Sequence, residues 1–232
     1  MNASLQSAYI LHVRNYRETS GLIDFFTRDD GRINLLAKGY RSNTKSGKSF
    51  LQPFRKLSIN WRGKSELKTL SAAEEINTPI KLDHLSLISG LYLNELITRL
   101  LQPLDPHPEL FDIYERTIRS LSQTQSLESV LRLFERDILD VMGYGLQLSI
   151  DSNGESIDPV ACYCYIADMG PIASTKRMQG GVLLKGQTLL SLNSAEIGDA
   201  DVLKESKMLM RYVLPFYIGD RPLKTRELFR HY

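Results

Sequence analysis

The sequence predicts an α+β chain: a small N-terminal β-barrel, then an α-helical bundle domain carrying a small β-rich insertion. Three observations predict it. Five short runs with strand-like alternation, separated by turn residues, fill the first 80 residues. The apolar period becomes helical after Pro79. A second group of short strand-like runs, with glycines at its turns, interrupts the helical pattern between about residues 146 and 187. The 232 residues are 42% hydrophobic and 24% charged, enough apolar side chain for a packed core.

Taken in order, Ala8 to Arg14 is the first expected strand and Ser20 to Thr27 the second. Arg28-Asp29-Asp30-Gly31 is a turn signal, because Gly31 can take positive φ. Arg32 to Lys38 follows, with Ile33 and Leu35 on one face. Residues 39–49 read as a loop rich in Ser, Asn, Gly and Lys. Phe54 to Trp61 alternates, placing Leu57, Ile59 and Trp61 inward. A turn at Arg62-Gly63-Lys64-Ser65 leads to the fifth strand, Glu66 to Glu74. Five short strands in about 75 residues fit a five-stranded OB-fold.

Asp83 is the expected cap of a helix over His84–Gln102, with Leu85, Ile88, Tyr92, Leu96 and Arg99 on one face and Pro103 as its stop. Pro108 starts a second helix with the stripe Phe111, Tyr114, Ile118 and Leu121. Ser126 starts a third, with Leu127, Leu131, Phe134, Ile138 and Val141 inward and Gly143 as C-terminal cap. After a polar loop over 151–159, the run from Ala161 to Lys185 reads as short strands turning at Gly170 and Gly180-Gly181. Asp199 caps a helix from Ala200 to Leu214, with Val202, Ser206, Leu209 and Val213 inward and Pro215 beyond it. Thr225 to His231 closes the chain as a short helix docked through Leu228 and Phe229. The expected domains are therefore 1–80, the barrel, and 81–232, the helices, with the β-rich part at about 146–187.

Charge is unevenly distributed. Between Lys38 and Lys68 stand nine basic residues and one acid, a local charge of +8 in a chain of net charge +2. Tyr40, Phe50, Phe54 and Trp61 are interleaved with them. Cationic grooves with aromatic faces are what OB-folds use to hold nucleic acid single strands. Alternation assigns Phe54 and Trp61 to the core and leaves Tyr40, beside Arg41, as the stacking candidate.

Other chemistries find little support. Residues 42–49 hold a Gly-Lys-Ser triplet, but Ser42 stands where a phosphate-binding loop needs glycine, and a further strand follows in place of a helix. Cys162 and Cys164 form one Cys-x-Cys pair with no second pair, and the four histidines are scattered, so neither zinc nor another cofactor is expected. No nucleophile, base and orienting group stand at a telling spacing, so the chain is not expected to be an enzyme. A metal-dependent nuclease would need clustered carboxylates, and the basic stretch holds one. No leader-like segment or run of membrane-spanning length is evident, so an intracellular, reduced compartment is expected.

Several ordered strings carry a family resemblance. They are Tyr16-Arg17-Glu18-Thr19-Ser20, Phe26-Thr27 with Gly31-Arg32, Ala37-Lys38-Gly39 with Arg41-Ser42, Leu51-Gln52-Pro53-Phe54 and Leu67-Lys68-Thr69-Leu70. Further on stand Ser89-Gly90-Leu91-Tyr92 with Asn94-Glu95-Leu96, then Arg132 with Phe134-Glu135, Gly143-Tyr144-Gly145, and Pro222-Leu223-Lys224 with Arg226 to Arg230. In this colinear order the chain resembles the RecO family of bacterial recombination mediators along its whole length, in the enterobacterial form. It departs from many members in lacking a four-cysteine zinc module, which leaves a degenerate module folded by packing alone.

The resemblance implies a non-enzymatic DNA repair and recombination factor, cytoplasmic and nucleoid-associated. It would bind single- and double-stranded DNA, anneal complementary strands and help load RecA on DNA covered by single-stranded DNA-binding protein. Implied partners are the acidic tail of that protein, RecR and, indirectly, the RecA filament; the chain itself is expected to be a monomer with no membrane partner. The expected DNA-binding residues are Lys38, Arg41, Lys45, Lys48, Lys64 and Tyr40. By position Arg132 would grip the tail carboxylate, and the helix stripes offer Leu209 and Val213 as pocket walls. A protein-recruitment adaptor with little DNA binding of its own is the alternative.

Overall fold

Strand β1 (Gln6–Tyr16) opens a closed barrel with β2 (Ser20–Thr27), β3 (Gly31–Ala37), β4 (Leu57–Arg62) and β5 (Lys68–Glu75). The computed structural model describes residues 5–41, 50–63, 67–124, 126–219 and 221–229. The strand order β1-β2-β3-β5-β4, closed by β4 against β1, is that of an OB-fold, as the sequence predicts. Neighbours are antiparallel except β3 and β5, which run parallel. Period-2 alternation turns Ile10, Ile23, Phe25, Ile33, Leu35, Leu57 and Ile59 into one interior cluster. Gly31 does take positive φ, at 68°.

Two details of the barrel differ from the sequence reading. The register of β1 against β2 slips between Ile10 and His12, a bulge that alternation alone does not show. Phe54 lies outside β4, at φ 65°, and is buried. Its ring faces Gly90, where a Cβ would come within 2.8 Å of it.

Helices α1 (His84–Leu100) and α2 (Pro108–Leu121) belong to the same compact unit as the barrel, which comprises Met1–Gln123 and Leu223–Tyr232. Burial on α1 covers Ile88, Tyr92, Leu93, Asn94, Leu96, Ile97 and Leu100, wider than one stripe, while Leu85 is exposed. Asp83 makes no side-chain cap. The α2 stripe is as expected, and Phe111 and Tyr114 pack their rings against Tyr9 and Phe26 on the outside of the barrel. Arg32 ties β3 to the end of α1: it donates to the Thr98 carbonyl at 2.8 Å and pairs with Asp24 at 3.5 Å. Burial raises the Asp24 carboxyl, against the pull of Arg32, Arg14 and His12.

The second unit, Thr124–Pro222, holds α3 (Leu127–Val141), a three-stranded sheet in the order β7-β6-β8, and helices α4 (Gly186–Ser194) and α5 (Ala200–Ile218). The strands are β6 (Cys162–Ile166), β7 (Gly170–Ala173) and β8 (Val182–Lys185). Leu131, Phe134 and Ile138 are buried as expected, but Leu127 and Val141 are half-buried at the ends of α3. Gly143 caps α3 at φ 79°. Asp199 caps α5, accepting from the Asp201 and Val202 N–H groups. Pro215 does not end α5, which continues to Ile218. The carbonyl it leaves unpaired belongs to exposed Arg211, where water can serve it.

The last element is α6 (Thr225–Leu228), back in the first unit. Phe229 meets Tyr92 edge-on at 6.3 Å, and Leu223 is buried, whereas Leu228 is exposed. The apolar pair that docks this segment is therefore Leu223 with Phe229, in place of the expected Leu228 with Phe229. Among the described residues, no helix is long and apolar enough to cross a membrane.

Candidate nucleic-acid interface

Strand directions gather basic side chains at one mouth of the barrel. Residue pairs Tyr16↔Ser20, Gly21↔Ala37, Leu36↔Thr69 and Arg62↔Thr69 are adjacent rungs of that mouth. Around it stand Arg14, Arg17, Lys38, Arg41 and Arg62, all exposed, and half-buried Lys68. Within segments 14–20, 38–41, 61–63 and 67–69, Glu18 is the one acid among the described residues. Arg41 is set against the β1–β2 hairpin by its N–H, which donates to the Thr19 carbonyl at 2.9 Å. Arg17, at φ 53° on the hairpin tip, lies over the Tyr16 ring at 5.3 Å.

The opposite mouth has a different electrostatic character. Arg55 pairs with Glu75 at 2.9 Å, Lys56 with Glu115 at 2.7 Å and Arg28 with Asp112 at 2.8 Å. Arg55 and Lys56 belong to the basic stretch of the sequence, yet acids on β5 and α2 already neutralise them. Among the described residues, the fold thus sorts the stretch into two groups, Lys38, Arg41, Arg62 and Lys68 at the first mouth and Arg55 and Lys56 at the second.

Of the residues expected to bind DNA, Lys38 and Arg41 reach this mouth, exposed. Tyr40 is half-buried and packs against the barrel core, its ring over Gly21, where a Cβ would come within 2.9 Å. Lys45, Lys48 and Lys64 lie outside the described residues. Arg14 and Arg17 join the mouth although the sequence does not single them out. They stand more than 20 residues before Lys38, and only the pairing of β1 with β2 brings them beside it. Their one local signal is a hairpin tip rich in charge, Arg14 to Glu18.

The expected tail-binding residues fall in the second unit. Arg132 is buried, its guanidinium donating to Glu135 at 2.8 Å, one turn along α3. Its Nε is also buried and has no hydrogen-bond partner. Leu209 and Val213 are core residues of α5, less than 2% exposed.

Cys164 is fully buried, and its sulfur accepts from the Met178 N–H at 3.3 Å; Cys162 is half-buried. Among the described residues no group of three or more His, Cys, Asp or Glu is gathered as for a metal ion.

Comparison with known proteins adds to this geometry. Residues 1–79 match the family model for the N-terminal part of recombination protein O, and residues 82–227 match that for its C-terminal part. The chain belongs to the RecO family. It is 41% identical over 227 residues to a DNA repair protein RecO of Methylococcus capsulatus, covering 97% of this chain and 93% of the relative. It is 40% identical over 230 residues to that of Haemophilus influenzae strain PittGG, covering 99% and 97%. It is 42% identical over 229 residues to that of Pseudomonas aeruginosa strain LESB58, covering 98% and 95%. RecO proteins are DNA repair and recombination factors, and the match to the N-terminal RecO family model ends at residue 79, just after β5.

Proposed function

We propose that this RecO-family chain is a non-enzymatic recombination mediator that binds single- and double-stranded DNA through the basic barrel mouth and anneals complementary strands. The carrying observation is the gathering of the exposed cations Arg14, Arg17, Lys38, Arg41 and Arg62 around one mouth of the barrel. Two DNA strands repel through their phosphates. A surface crowded with exposed cations can take up both backbones and release their counterions. Base pairing between the strands then reads the sequence, and the protein needs to hold only the backbones. No bond is broken, so no catalytic group is required.

The same reading extends to partners. Annealing of DNA covered by single-stranded DNA-binding protein, with RecR, would prepare DNA for RecA. The acidic tail of the binding protein would dock in the second unit. There Arg132 offers a buried Nε without a partner, and a tail carboxylate would replace or join Glu135 on the guanidinium. Arg132→Ala is expected to weaken binding of a tail peptide while leaving DNA affinity unchanged.

Annealing of two oligonucleotides coated with the cognate binding protein, without ATP, tests the central claim. Lys38→Glu/Arg41→Glu should abolish annealing. Each phosphate left without its cation should flatten the dependence of log affinity on log salt by roughly 0.7 for single strands. Full annealing by the double variant would sink the barrel-mouth reading. No annealing or DNA binding by the folded wild type would favour the recruitment adaptor.

A further inference from the structure

The second unit exposes an aromatic surface that the barrel-mouth reading does not use. Phe216 is 57% exposed and Tyr144 43%, high values for rings on a folded chain. Tyr144 stacks on Tyr217 with centroids 4.3 Å apart and planes 19° from parallel. Tyr212 meets Phe216 edge-on at 5.3 Å, one helical turn apart on α5. The Tyr212 hydroxyl donates to the Gly180 carbonyl and accepts from the Ala167 N–H, which fixes the ring against the small sheet. Met169, Met178 and Met208 are exposed in the same unit.

The surrounding charge is mainly positive. Arg211 is exposed next to Tyr212, and Lys176 and Arg177 are exposed on the loop that ends at Gly180. That loop is held in place: the Ser174 hydroxyl donates to the Lys176 carbonyl, Arg177 Nε donates to the Gly181 carbonyl, and the Met178 N–H donates to Cys164. Among the described residues, the acids next in sequence to these rings and to Ala167 are Asp140 and Asp168. The open cavity of this unit, lined by Lys185, Thr188, Glu196, Asp199 and Asp201, lies towards the other end of α5. Asp201 and Phe216 are roughly 22 Å apart along the helix. The aromatic face thus lies apart from that cavity, with Phe216 and Tyr144 exposed.

We propose that this platform, centred on Tyr144, Tyr212, Phe216 and Tyr217 and flanked by Lys176, Arg177 and Arg211, is a second nucleic-acid site that stacks unpaired bases of a single strand. Fixed rings offer stacking faces to bases of any identity, and the three cations meet the phosphates. The site is chemically distinct from the barrel mouth, where cations dominate: here affinity comes more from stacking and falls less with salt.

The test uses the full chain and a single-stranded oligonucleotide containing 5-iododeoxyuridine, which on irradiation crosslinks to an aromatic ring stacked on it. Crosslinked peptides should include Tyr144 and Phe216, and should persist in Lys38→Glu/Arg41→Glu. Tyr144→Leu/Phe216→Leu keeps an apolar surface but removes the stacking faces. It should abolish these crosslinks and weaken single-strand affinity about fivefold or more. Crosslinks confined to barrel peptides, or unchanged affinity of the folded Leu variant, would overturn the proposal and assign the platform to a protein partner. Crosslinks at Tyr144 and Phe216 without any in the barrel would instead overturn the barrel-mouth reading and leave this one standing.

Discussion

Asn94 is buried because β1 is bulged. The slip between Ile10 and His12 takes carbonyls out of the ladder, and Asn94 Nδ2 donates to the Ile10 and Leu11 carbonyls at 3.3 and 3.1 Å. Its Oδ1 accepts from the Tyr114 hydroxyl at 2.5 Å, so one side chain joins β1, α1 and α2. Burial raises the pKa of that Tyr114 hydroxyl well above the usual value. Asn94→Leu leaves the hydroxyl and two carbonyls without this partner, and we expect a loss of about 2 to 4 kcal/mol in urea unfolding. An unchanged midpoint would mean that the bulge is satisfied in another way. The string Ser89-Gly90-Leu91-Tyr92 with Asn94-Glu95-Leu96 is legible in the sequence as a signature, but its reasons are not. Gly90 makes room for Phe54, Tyr92 meets Phe229, and Asn94 serves a bulge that no periodicity shows.

At the scale of elements, α6 is too short to hold itself together, and Glu95 of α1 holds its start. The carboxylate accepts from the Lys224 N–H, the Thr225 N–H and the Thr225 hydroxyl. Burial alone would raise its pKa, but these hydrogen bonds, with help from Arg99, bring it below the usual value. A carboxyl with a depressed folded pKa contributes stability that is complete above the unfolded pKa and is lost as pH falls through the folded one. Protection of the amides across 223–229, taken relative to the intrinsic exchange rate at each pH, should therefore fall in acid below the ordinary carboxylate range, and Glu95→Gln should show reduced protection already at neutral pH. Protection indifferent to both changes would count against the clamp. Amphipathic α2 and capped α5 are readable from Pro108 and Asp199, because their signals are local. Helix α4 is not: Gly186 at its first position and the small polar residues Gln187, Thr188, Ser191, Asn193 and Ser194 give a weak helical pattern, and it is tertiary burial of Leu189 and Leu192 that makes the helix. The basic mouth is half readable. Its Lys38–Arg41 part is contiguous, while Arg14, Arg17 and the neutralisation of Arg55 and Lys56 depend on strand pairing and on acids from distant elements.

At the scale of the molecule, the chain leaves its first unit at Gln123, builds the second, and returns at Leu223. Removing the residues after Pro222 deletes buried Leu223, the partners of Glu95 and the ring of Phe229. This truncation should loosen α1, read as faster amide exchange in residues 88–97, and lower the stability of the first unit by about 1 to 3 kcal/mol. Amides of 131–139 in α3 should be unaffected, and a uniform change over both units would contradict the division. The same return of the chain has a consequence in time. On the ribosome, the barrel with α1 and α2 is made first but is completed last. At about 5 to 20 residues per second, synthesis of the intervening stretch of roughly 100 residues takes on the order of 5 to 20 s. During that delay the face of α1 that receives α6 and Phe229 stands bare, so a nascent chain stalled inside the second unit would present an incomplete first unit to chaperones and proteases.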